Sequence, residues 1–263
     1  MPAADSRISP TAHYTSYVWV RNELSPPALA SPTGRRLYRL LWPAMTFYRR
    51  VLRRPDLEQM LLARHRCIDE RLEAAGVKQV IEIASGFSGR GWRFLQSHRD
   101  WTYVEGDLAP QAEEKRRILD GAGLRAPRHQ VIALDALVDD GADSLVQVAS
   151  RLDPLQGCAI ITEGLVGYFD RDTVVGLWRR IANVLRGFRR GVYLSDINLS
   201  CDAQGTVFVD GFRLALQAFA RGRVHLHFAS PTELDAALRD AGFAQATLHW
   251  PGRHLVRVIE ATT

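Results

Sequence analysis

The 263-residue sequence has few of the features that mark secreted, metal-binding or membrane-spanning proteins. Its three cysteines, Cys67, Cys158 and Cys201, form no C-x-x-C pair, so neither a zinc site nor a disulfide framework is indicated. No apolar run approaches the length of a membrane span, and the N-terminus lacks the apolar segment of a signal peptide. We therefore expect a cytoplasmic protein with reduced thiols, no membrane association and no bound metal.

Lysine occurs only at Lys78 and Lys115, so the net charge of +5 comes from arginine. An excess of positive charge can mark nucleic-acid binding. Here the arginines are scattered, and most fit the solvated faces of helices. The sequence also lacks an appended RNA-binding module and an Asn/Asp-Pro-Pro-Tyr motif after the fourth predicted strand. Nucleic acid is therefore not the expected partner.

Apolar residues make up 46% of the chain and charged residues 24%, which is typical of a globular protein. The sequence divides into two parts. Residues 1–75 are predicted to form an N-terminal arm and helical segment that covers the substrate, and residues 76–263 a ligand-binding domain. Within the first part, residues 1–34 show no period and are expected to be irregular. The remainder has helical spacing, broken at Pro43 and Pro55.

Short β-branched runs alternate with helical segments after residue 76, which predicts a parallel sheet with helices on both faces. Two further helices and a terminal hairpin follow, so the last strand should run antiparallel. The fold class is α/β, a Rossmann-like, doubly wound, seven-stranded sheet with an N-terminal helical extension. The strands are predicted at 79–84, 101–107, 131–135, 158–164, 191–197, 246–250 and 254–260. The late helices are predicted at 206–221 and 230–243.

Acidic residues end three successive strands: Glu105 the second, Asp135 the third and Glu163 the fourth. Carboxyl ends of parallel strands meet at one sheet edge, where ligands bind in such folds. A carboxylate at Glu105 can accept both ribose hydroxyls of a nucleoside, and one at Asp135 the amino group of adenine. Helix capping explains one such acid but explains all three poorly, because Glu is a poor N-cap.

Small residues follow the first strand between Glu82 and Gly91, so a ligand can approach the backbone beside a helix N-terminus. The glycine spacing, G-x-x-G-x-G, is not the dinucleotide fingerprint G-x-G-x-x-G, which argues against a nicotinamide-dependent oxidoreductase. The candidate ligand-binding residues in these segments are Glu82, Ala84, Ser85, Gly86, Arg90, Glu105, Gly106, Asp135, Ala136 and Glu163.

Three stretches carry a family resemblance: Ala63-Arg64-His65-Arg66 followed by Ile68-Asp69, Tyr103 to Leu108, and Glu163 to Tyr168. With them, residues from about 57 to 263 resemble a class I S-adenosylmethionine-dependent methyltransferase. Within that class the sequence is similar to the leucine carboxyl methyltransferase-like branch, which includes bacterial polyketide and small-molecule O-methyltransferases.

The resemblance implies S-adenosylmethionine as cofactor and a role for several side chains. It implies that Arg64 binds the methionine carboxylate, Glu105 the ribose and Asp135 the adenine amino group. It further implies that Glu163 lies beside the cofactor and Tyr168 on the substrate side. The family's first loop usually reads Gly-x-Gly-x-Asp-x-Arg. Here Ala84 replaces the first glycine and Ser88 the aspartate, while Arg90 is retained.

The expected activity is O-methylation of a carboxylate or hydroxyl of a small metabolite, as in secondary metabolism. In the aromatic-rich arm, His13 is a candidate base and Arg21 a candidate partner for a substrate carboxylate, with Tyr168 as a third catalytic candidate. Packing of this arm on the protein's own surface explains its composition equally well.

Polar residues after the fifth strand, Asp196, Asn198 and Ser200, would face the substrate or form turns and caps. His225 and His227 alternate with apolar residues, as in a short half-exposed strand. Alternative functions are a nucleic-acid or protein methyltransferase, and a degenerate methyltransferase fold acting as a sensor or scaffold. The methyl acceptor, the use of a general base and the oligomeric state, with a homodimer as one option, stay open.

Overall fold

A computed structural model describes residues 10–51, 53, 56–203, 225–252 and 256–263, and one seven-stranded sheet forms its centre. The strand order is β3-β2-β1-β4-β5-β7-β6. β1 to β5 are parallel, whereas β7 is antiparallel to both β5 and β6. The predicted fold class is confirmed. The strands are β1 (Gln79–Ile83), β2 (Thr102–Asp107), β3 (His129–Ala133), β4 (Gly157–Thr162), β5 (Arg190–Asn198), β6 (Gln245–His249) and β7 (Val256–Thr262).

Helices cover both faces of the sheet and extend it at the N-terminus. In the described part of the chain they are α1 (Pro10–Arg21), α2 (Pro32–Val51), α3 (Leu57–Ala74), α4 (Arg90–Ser97), α5 (Ala109–Gly121), α6 (Leu145–Ala149), α7 (Arg171–Leu185), α8 (Ser200–Ala203) and α9 (Pro231–Ala241). Short 3-10 turns lie at Pro27–Leu29 and Val166–Tyr168. None of the helices in these ranges is both long and apolar enough to cross a membrane.

Both faces of the central strands are buried, which explains why they are continuous apolar runs. Successive side chains of a strand point to opposite faces. In β4, Ile160 joins the cluster that contains Trp178 of α7, while its neighbour Ala159 joins the cluster that contains Ile68 of α3. The two clusters fix the sheet between its helix layers, so its carboxyl edge is a rigid platform.

The prediction that residues 1–34 are irregular is wrong for α1. Tyr14 and Val18 lie four residues apart on one helix face and pack against Tyr38, Leu57 and Leu61. These partners lie at least twenty residues away in the chain. Packing against them stabilises a helix that the local sequence does not favour.

The predicted break at Pro43 is wrong, because α2 runs without interruption from Pro32 to Val51. Proline deprives the carbonyl of Arg39 of its helical partner. Arg39 and Pro43 are both exposed, so water can satisfy that carbonyl. The predicted short strand at His225 and His227 is also wrong, since residues 225–228 belong to no strand. The predicted helix 206–221 lies outside the described residues.

Both ends of α9 carry the capping residues that favour them. Ser230 accepts a hydrogen bond from the backbone N–H of Glu233 at the start of α9, with Pro231 in the first turn. Gly242 ends the helix in the left-handed conformation, with φ of 107°. These local signals place α9 against α7 at the side of the sheet that carries the antiparallel strands.

Candidate functional site

A cavity of about 340 Å³ opens at the carboxyl edge of the sheet, bordered by the ends of β1, β2, β4 and β5. Helices α1 and α3 form its opposite wall. The position follows from topology, because parallel strands direct their carboxyl ends to a common crevice. Its apolar lining comprises Tyr14, Trp19, Leu57, Met60, Leu61, Leu165, Val166, Ile197 and Val256.

The loop after β1 forms part of the cavity wall with backbone rather than large side chains. Ala84, Ser85 and Gly86, three of the predicted cofactor-binding residues, all line the cavity. Ala84 and Gly86 have φ angles of 54° and 49°, in the left-handed region. That conformation is ordinary for glycine and strained for alanine. The loop at Ala84 therefore has the backbone conformation that a glycine would adopt, and the alanine lowers the stability of the protein because it is strained there.

Arg64 projects from α3 and connects two strand ends across the cavity. Its Nε donates to Glu163 Oε1 at 2.9 Å, and its Nη1 donates to Asp196 Oδ2 at 2.9 Å. Glu163 directly follows β4, and Asp196 lies near the end of β5. All three residues line the cavity. The fold thus brings together Arg64 and Glu163, two of the predicted site residues, and adds Asp196 to them.

Arg90 lies behind the cavity wall with a fully buried side chain. Its Nε donates to Asp69 Oδ1 at 2.6 Å, and its two terminal nitrogens donate to Glu82 and Glu163. Although burial alone would lower the pKa of Arg90, these carboxylates hold it well above its usual value. Arg90 does not line the cavity, so its position indicates that it holds Glu82 and Glu163 in place.

Glu163 is the junction of this charged cluster. Besides Arg64 and Arg90, it contacts Nδ1 of His65 through Oε2 at 2.8 Å. Burial acts to raise the pKa of Glu163, but His65, Arg90 and Arg64 outweigh it and hold that pKa well below its usual range. The carboxylate is therefore ionised at neutral pH. A fixed negative charge at this position suits a ligand that carries positive charge.

The second strand places Asp107, rather than Glu105, at the cavity. Glu105 is fully buried and pairs with Lys115 Nζ and His129 Nε2, each 2.9 Å from its Oε2. Burial would raise the pKa of Glu105, yet these two groups lower it to about 2. Asp107 lines the cavity, and its Oδ2 accepts the N–H of Gly86 at 2.8 Å. Burial raises the pKa of Asp107 despite that hydrogen bond.

Three other predicted cofactor residues lie beside the cavity rather than in its wall. Gly106 is buried in β2, where a Cβ would come within 2.7 Å of Leu134. Asp135 is half-buried after β3, and its Oδ1 accepts the N–H of Leu137 at 2.9 Å. Ala136 is buried next to it. Glu82 of β1, by contrast, lines the cavity.

Of the catalytic candidates, only Tyr168 lines the cavity, at its mouth with 39% exposure. His13 stacks on Phe87 with ring centroids 5.7 Å apart and is absent from the lining. Arg21 is half exposed, lies 3.7 Å from Glu58 and covers the ring of Tyr38. The arm thus packs on the protein's own surface at these two positions, which was the alternative interpretation of its composition.

Two histidines form the polar end of the cavity near Tyr168. His225 and His227 both line it, and their rings stack with centroids 5.7 Å apart. His227 Nε2 lies 2.6 Å from the carbonyl oxygen of Phe169 and must donate to it. Burial lowers the pKa of His227, so its imidazole is neutral at neutral pH. Asn198 lines the same region, whereas Ser200 turns away and hydrogen bonds to Phe228.

Sequence analysis did not single out Asp107 and Trp19, which both line the cavity. Asp107 carried a usable signal, because it is the last residue of its strand and strand ends meet at the ligand edge. Trp19 carried none, since its place depends on the packing of α1 against α3. For Asp196 and Asn198 the sequence left two roles open, contact with the substrate and formation of a turn or helix cap.

Comparison with known proteins supports the geometry. A family model described as leucine carboxyl methyltransferase matches residues 28–182, more than half of the chain. A protein assigned as an S-adenosyl-L-methionine-dependent methyltransferase in Mycobacterium ulcerans (strain Agy99) is 34% identical over 112 residues, 42% of this chain and 36% of that protein. The chain spans about a third of the length of the curated relatives it matches.

Solved structures resemble the fold at low sequence identity. One, assigned as an O-methyltransferase from Nostoc punctiforme PCC 73102, has a TM-score of 0.57 at 19% identity and covers 79% of this chain and 58% of its own. Human N-acetylserotonin methyltransferase, solved with S-adenosylmethionine, has a TM-score of 0.54 at 14% identity and covers 96% of this chain and 66% of its own. The fold match and the family match agree with the resemblance in the sequence. The chain belongs to the leucine carboxyl methyltransferase family.

Proposed function

We propose that this protein transfers a methyl group from S-adenosylmethionine to a hydroxyl oxygen of a small, largely apolar metabolite. The observation that carries the proposal is the composition of the cavity. One end holds Arg64 among carboxylates, and the rest is an apolar wall that leads to two histidines. A charged end suits the amino-acid part of the cofactor, and an apolar remainder suits the acceptor.

The residues of the charged end fit an adenosyl sulfonium compound. Glu82, Glu163 and Asp196 line the cavity, and Arg64, which pairs with Glu163 and Asp196, is the one arginine on the described lining, so acidic side chains outnumber cations there. Such a site favours a ligand with an ammonium and a sulfonium. The small residues after β1 leave backbone accessible beside them. When bound, S-adenosylmethionine would supply a methyl carbon that an oxygen nucleophile attacks in line, with S-adenosylhomocysteine as the leaving group.

Asp107 is the proposed partner of the ribose hydroxyls. It lies at the end of β2, lines the cavity and is held by the N–H of Gly86. A carboxylate in that position accepts hydrogen bonds from vicinal hydroxyls. Glu105 supports the same segment from behind through its ion pair with Lys115. Asp135 and Ala136 remain the proposed neighbours of the adenine ring.

The acceptor is proposed to be a hydroxyl because the described lining offers no second cation. Arg64 uses Nε and Nη1 for Glu163 and Asp196, and the family resemblance assigns it to the methionine carboxylate of the cofactor, so it is not left for a substrate carboxylate. A substrate carboxylate would need a donor of its own to be held in an apolar cavity. A hydroxyl has no such need, but it must lose a proton when the bond to carbon forms.

His227 is the proposed proton acceptor, with His225 stacked against it. Its Nε2 hydrogen is committed to the carbonyl of Phe169, which leaves Nδ1 as the basic nitrogen. The lowered pKa of His227 keeps that nitrogen unprotonated at neutral pH. Tyr168, at the mouth, is proposed to contact the acceptor.

The test is to incubate the protein with methyl-deuterated S-adenosylmethionine and a metabolite extract of the producing organism, then to find labelled products by mass spectrometry. Products that lose the label on mild alkaline hydrolysis are esters and contradict a hydroxyl acceptor, whereas products that keep it, and whose fragmentation places the labelled methyl on oxygen, are ethers and support one. A His227→Gln variant should bind cofactor normally but turn over about a hundredfold more slowly. Full turnover in that variant would rule out His227 as base.

A further inference from the structure

Trp19 presents an unpaired hydrogen-bond donor at the cavity. It lies on α1, lines the cavity and is 7% exposed. Its indole Nε1 is buried and has no hydrogen-bond partner within the part of the chain that the structure describes. A buried indole N–H usually has an acceptor, because leaving it without one is unfavourable. A ligand in the cavity is the natural source of that acceptor.

The surroundings of Trp19 specify the acceptor's charge. Its ring lies 4.8 Å from the ring of His65, the residue that follows Arg64 on α3. Arg64 uses Nε and Nη1 for its two ion pairs, and its Nη2 has no hydrogen-bond partner among the described residues. Two donors without acceptors, one of them charged, thus belong to the same wall. A carboxylate is the group that two such donors bind best.

The nearby carboxylates determine the orientation of an amino-acid group at this wall. The oxygens of Glu163 and Asp196 would repel a ligand carboxylate and attract an ammonium. An amino-acid group therefore binds with its ammonium towards those acids and its carboxylate towards Trp19 and the free nitrogen of Arg64. In S-adenosylmethionine and S-adenosylhomocysteine, both groups sit on one carbon, as this arrangement requires.

We propose that the indole N–H of Trp19 donates a hydrogen bond to the amino-acid carboxylate of the bound adenosyl compound. This inference rests on the proposed function, since it assumes that an adenosyl amino acid occupies the cavity. It goes beyond that function by assigning a binding role to α1, a helix that the sequence did not predict. Because Trp19 belongs to α1, this hydrogen bond would make the affinity for the cofactor depend on the packing of the N-terminal helix over the cavity.

Calorimetry with two ligands tests the hydrogen bond. S-Adenosylhomocysteine carries the carboxylate, whereas 5′-methylthioadenosine lacks the whole amino-acid group. Trp19→Phe removes the N–H and keeps an aromatic ring against His65. The variant should bind S-adenosylhomocysteine about tenfold more weakly and 5′-methylthioadenosine within about twofold of the wild type. Trp101→Phe is the matched control, because Trp101 is also 7% exposed but lies outside the cavity lining.

An unchanged affinity of Trp19→Phe for S-adenosylhomocysteine overturns the proposal, and so does an equal loss for both ligands, which would indicate a role in shape alone. If the variant does not fold, the indole N–H spectrum of ¹⁵N-labelled wild-type protein decides. S-Adenosylhomocysteine should move one indole signal downfield that 5′-methylthioadenosine leaves in place, and the absence of such a signal contradicts the hydrogen bond. Wild-type protein that binds neither ligand refutes the proposed function itself.

Discussion

The ammonium nitrogen of Lys115 lies 2.9 Å from Oε2 of Glu105, and both side chains are completely buried. Glu105 is the acid that the family resemblance predicted to bind the ribose, but in the structure its carboxylate is taken up by this ion pair. Asp107, two residues further along β2, faces the cavity instead. Side chains two residues apart on a strand share one face but lie about 7 Å apart along it. The roles of the two acids can therefore be separated by experiment.

Asp107→Asn should weaken binding of S-adenosylhomocysteine about tenfold, because an amide accepts hydrogen bonds from hydroxyls less strongly than a carboxylate does. Glu105→Gln should leave the dissociation constant within about threefold and lower the stability of the fold, since Lys115 loses its buried counter-charge. Isothermal titration and urea unfolding measure the two effects. A large loss of affinity in Glu105→Gln with a normal Asp107→Asn would restore the original assignment.

The depressed pKa of Glu105 predicts how stability depends on pH. Its pKa is about 2 in the folded chain against an ordinary value of 4.5, and the pKa of Glu163 and of Asp69 is also lowered. The unfolded chain therefore takes up protons first as the solution is acidified. The stability that these groups contribute is present above about pH 4.5 and is lost as the pH falls towards 2.

Urea unfolding at pH 5, 4 and 3 should show a falling midpoint, and the fall should be shallower in Glu105→Gln, which has no carboxyl to protonate there. Lys78→Gln is a suitable control, because its partner Asp100 is largely exposed and contributes little. Equal slopes in the wild type and in Glu105→Gln would show that the pair with Lys115 does not govern the acid response.

The order of helices and strands could be predicted from the sequence because periodicity and caps are local. Asp170 and Ser230 cap α7 and α9 as their positions before apolar periodic segments suggest. The side-chain partners of α1 could not be predicted in this way. Tyr14 packs against Leu57 and Leu61 of α3, and a contact across forty residues leaves no local pattern.

Part of the candidate site could also be predicted from the sequence. Glu163 and the loop at Ala84 were predicted because they follow strand ends, and Arg64 was predicted from the family resemblance; all of them line the cavity. Arg90 and Glu105 are charged, near the ligand edge and yet covered, and nothing in a one-dimensional pattern distinguishes a buried ion pair from a binding group. That distinction requires the partners, which come from α3 and α5.

Arg90 should be far more important for stability than its neighbour Arg93. Arg90→Met leaves Glu82 without its buried counter-charge and removes one of the two arginines that pair with Glu163, and we expect a loss of about 3–5 kcal/mol in the free energy of unfolding. Arg93 is 29% exposed, and Asp69 is its one ion-pair partner among the described residues. Arg93→Met should cost about 1 kcal/mol or less. Urea unfolding compares the two, and equal losses would contradict a structural role for the Arg90 cluster.

Ala84→Gly should stabilise the protein, against the usual effect of a new glycine. Ala84 has φ of 54°, where an L-residue is strained by about 1 kcal/mol or more and glycine is not. Part of that gain is offset by the greater freedom of glycine in the unfolded chain. We expect the melting temperature to rise by about 2 °C with the affinity for S-adenosylhomocysteine unchanged.

Ala75→Gly provides the matched control for this prediction, because Ala75 ends α3 with φ of −66°, where alanine is relaxed. There the substitution should lower the melting temperature, since only the entropic cost and the lost methyl packing remain. Differential scanning calorimetry on both variants gives the comparison. A fall in Ala84→Gly as large as that in Ala75→Gly would mean that the loop after β1 does not hold residue 84 in the left-handed conformation. The altered first loop would then be a different shape from that of a glycine-containing one, and the proposed placement of the cofactor against it would lose its basis.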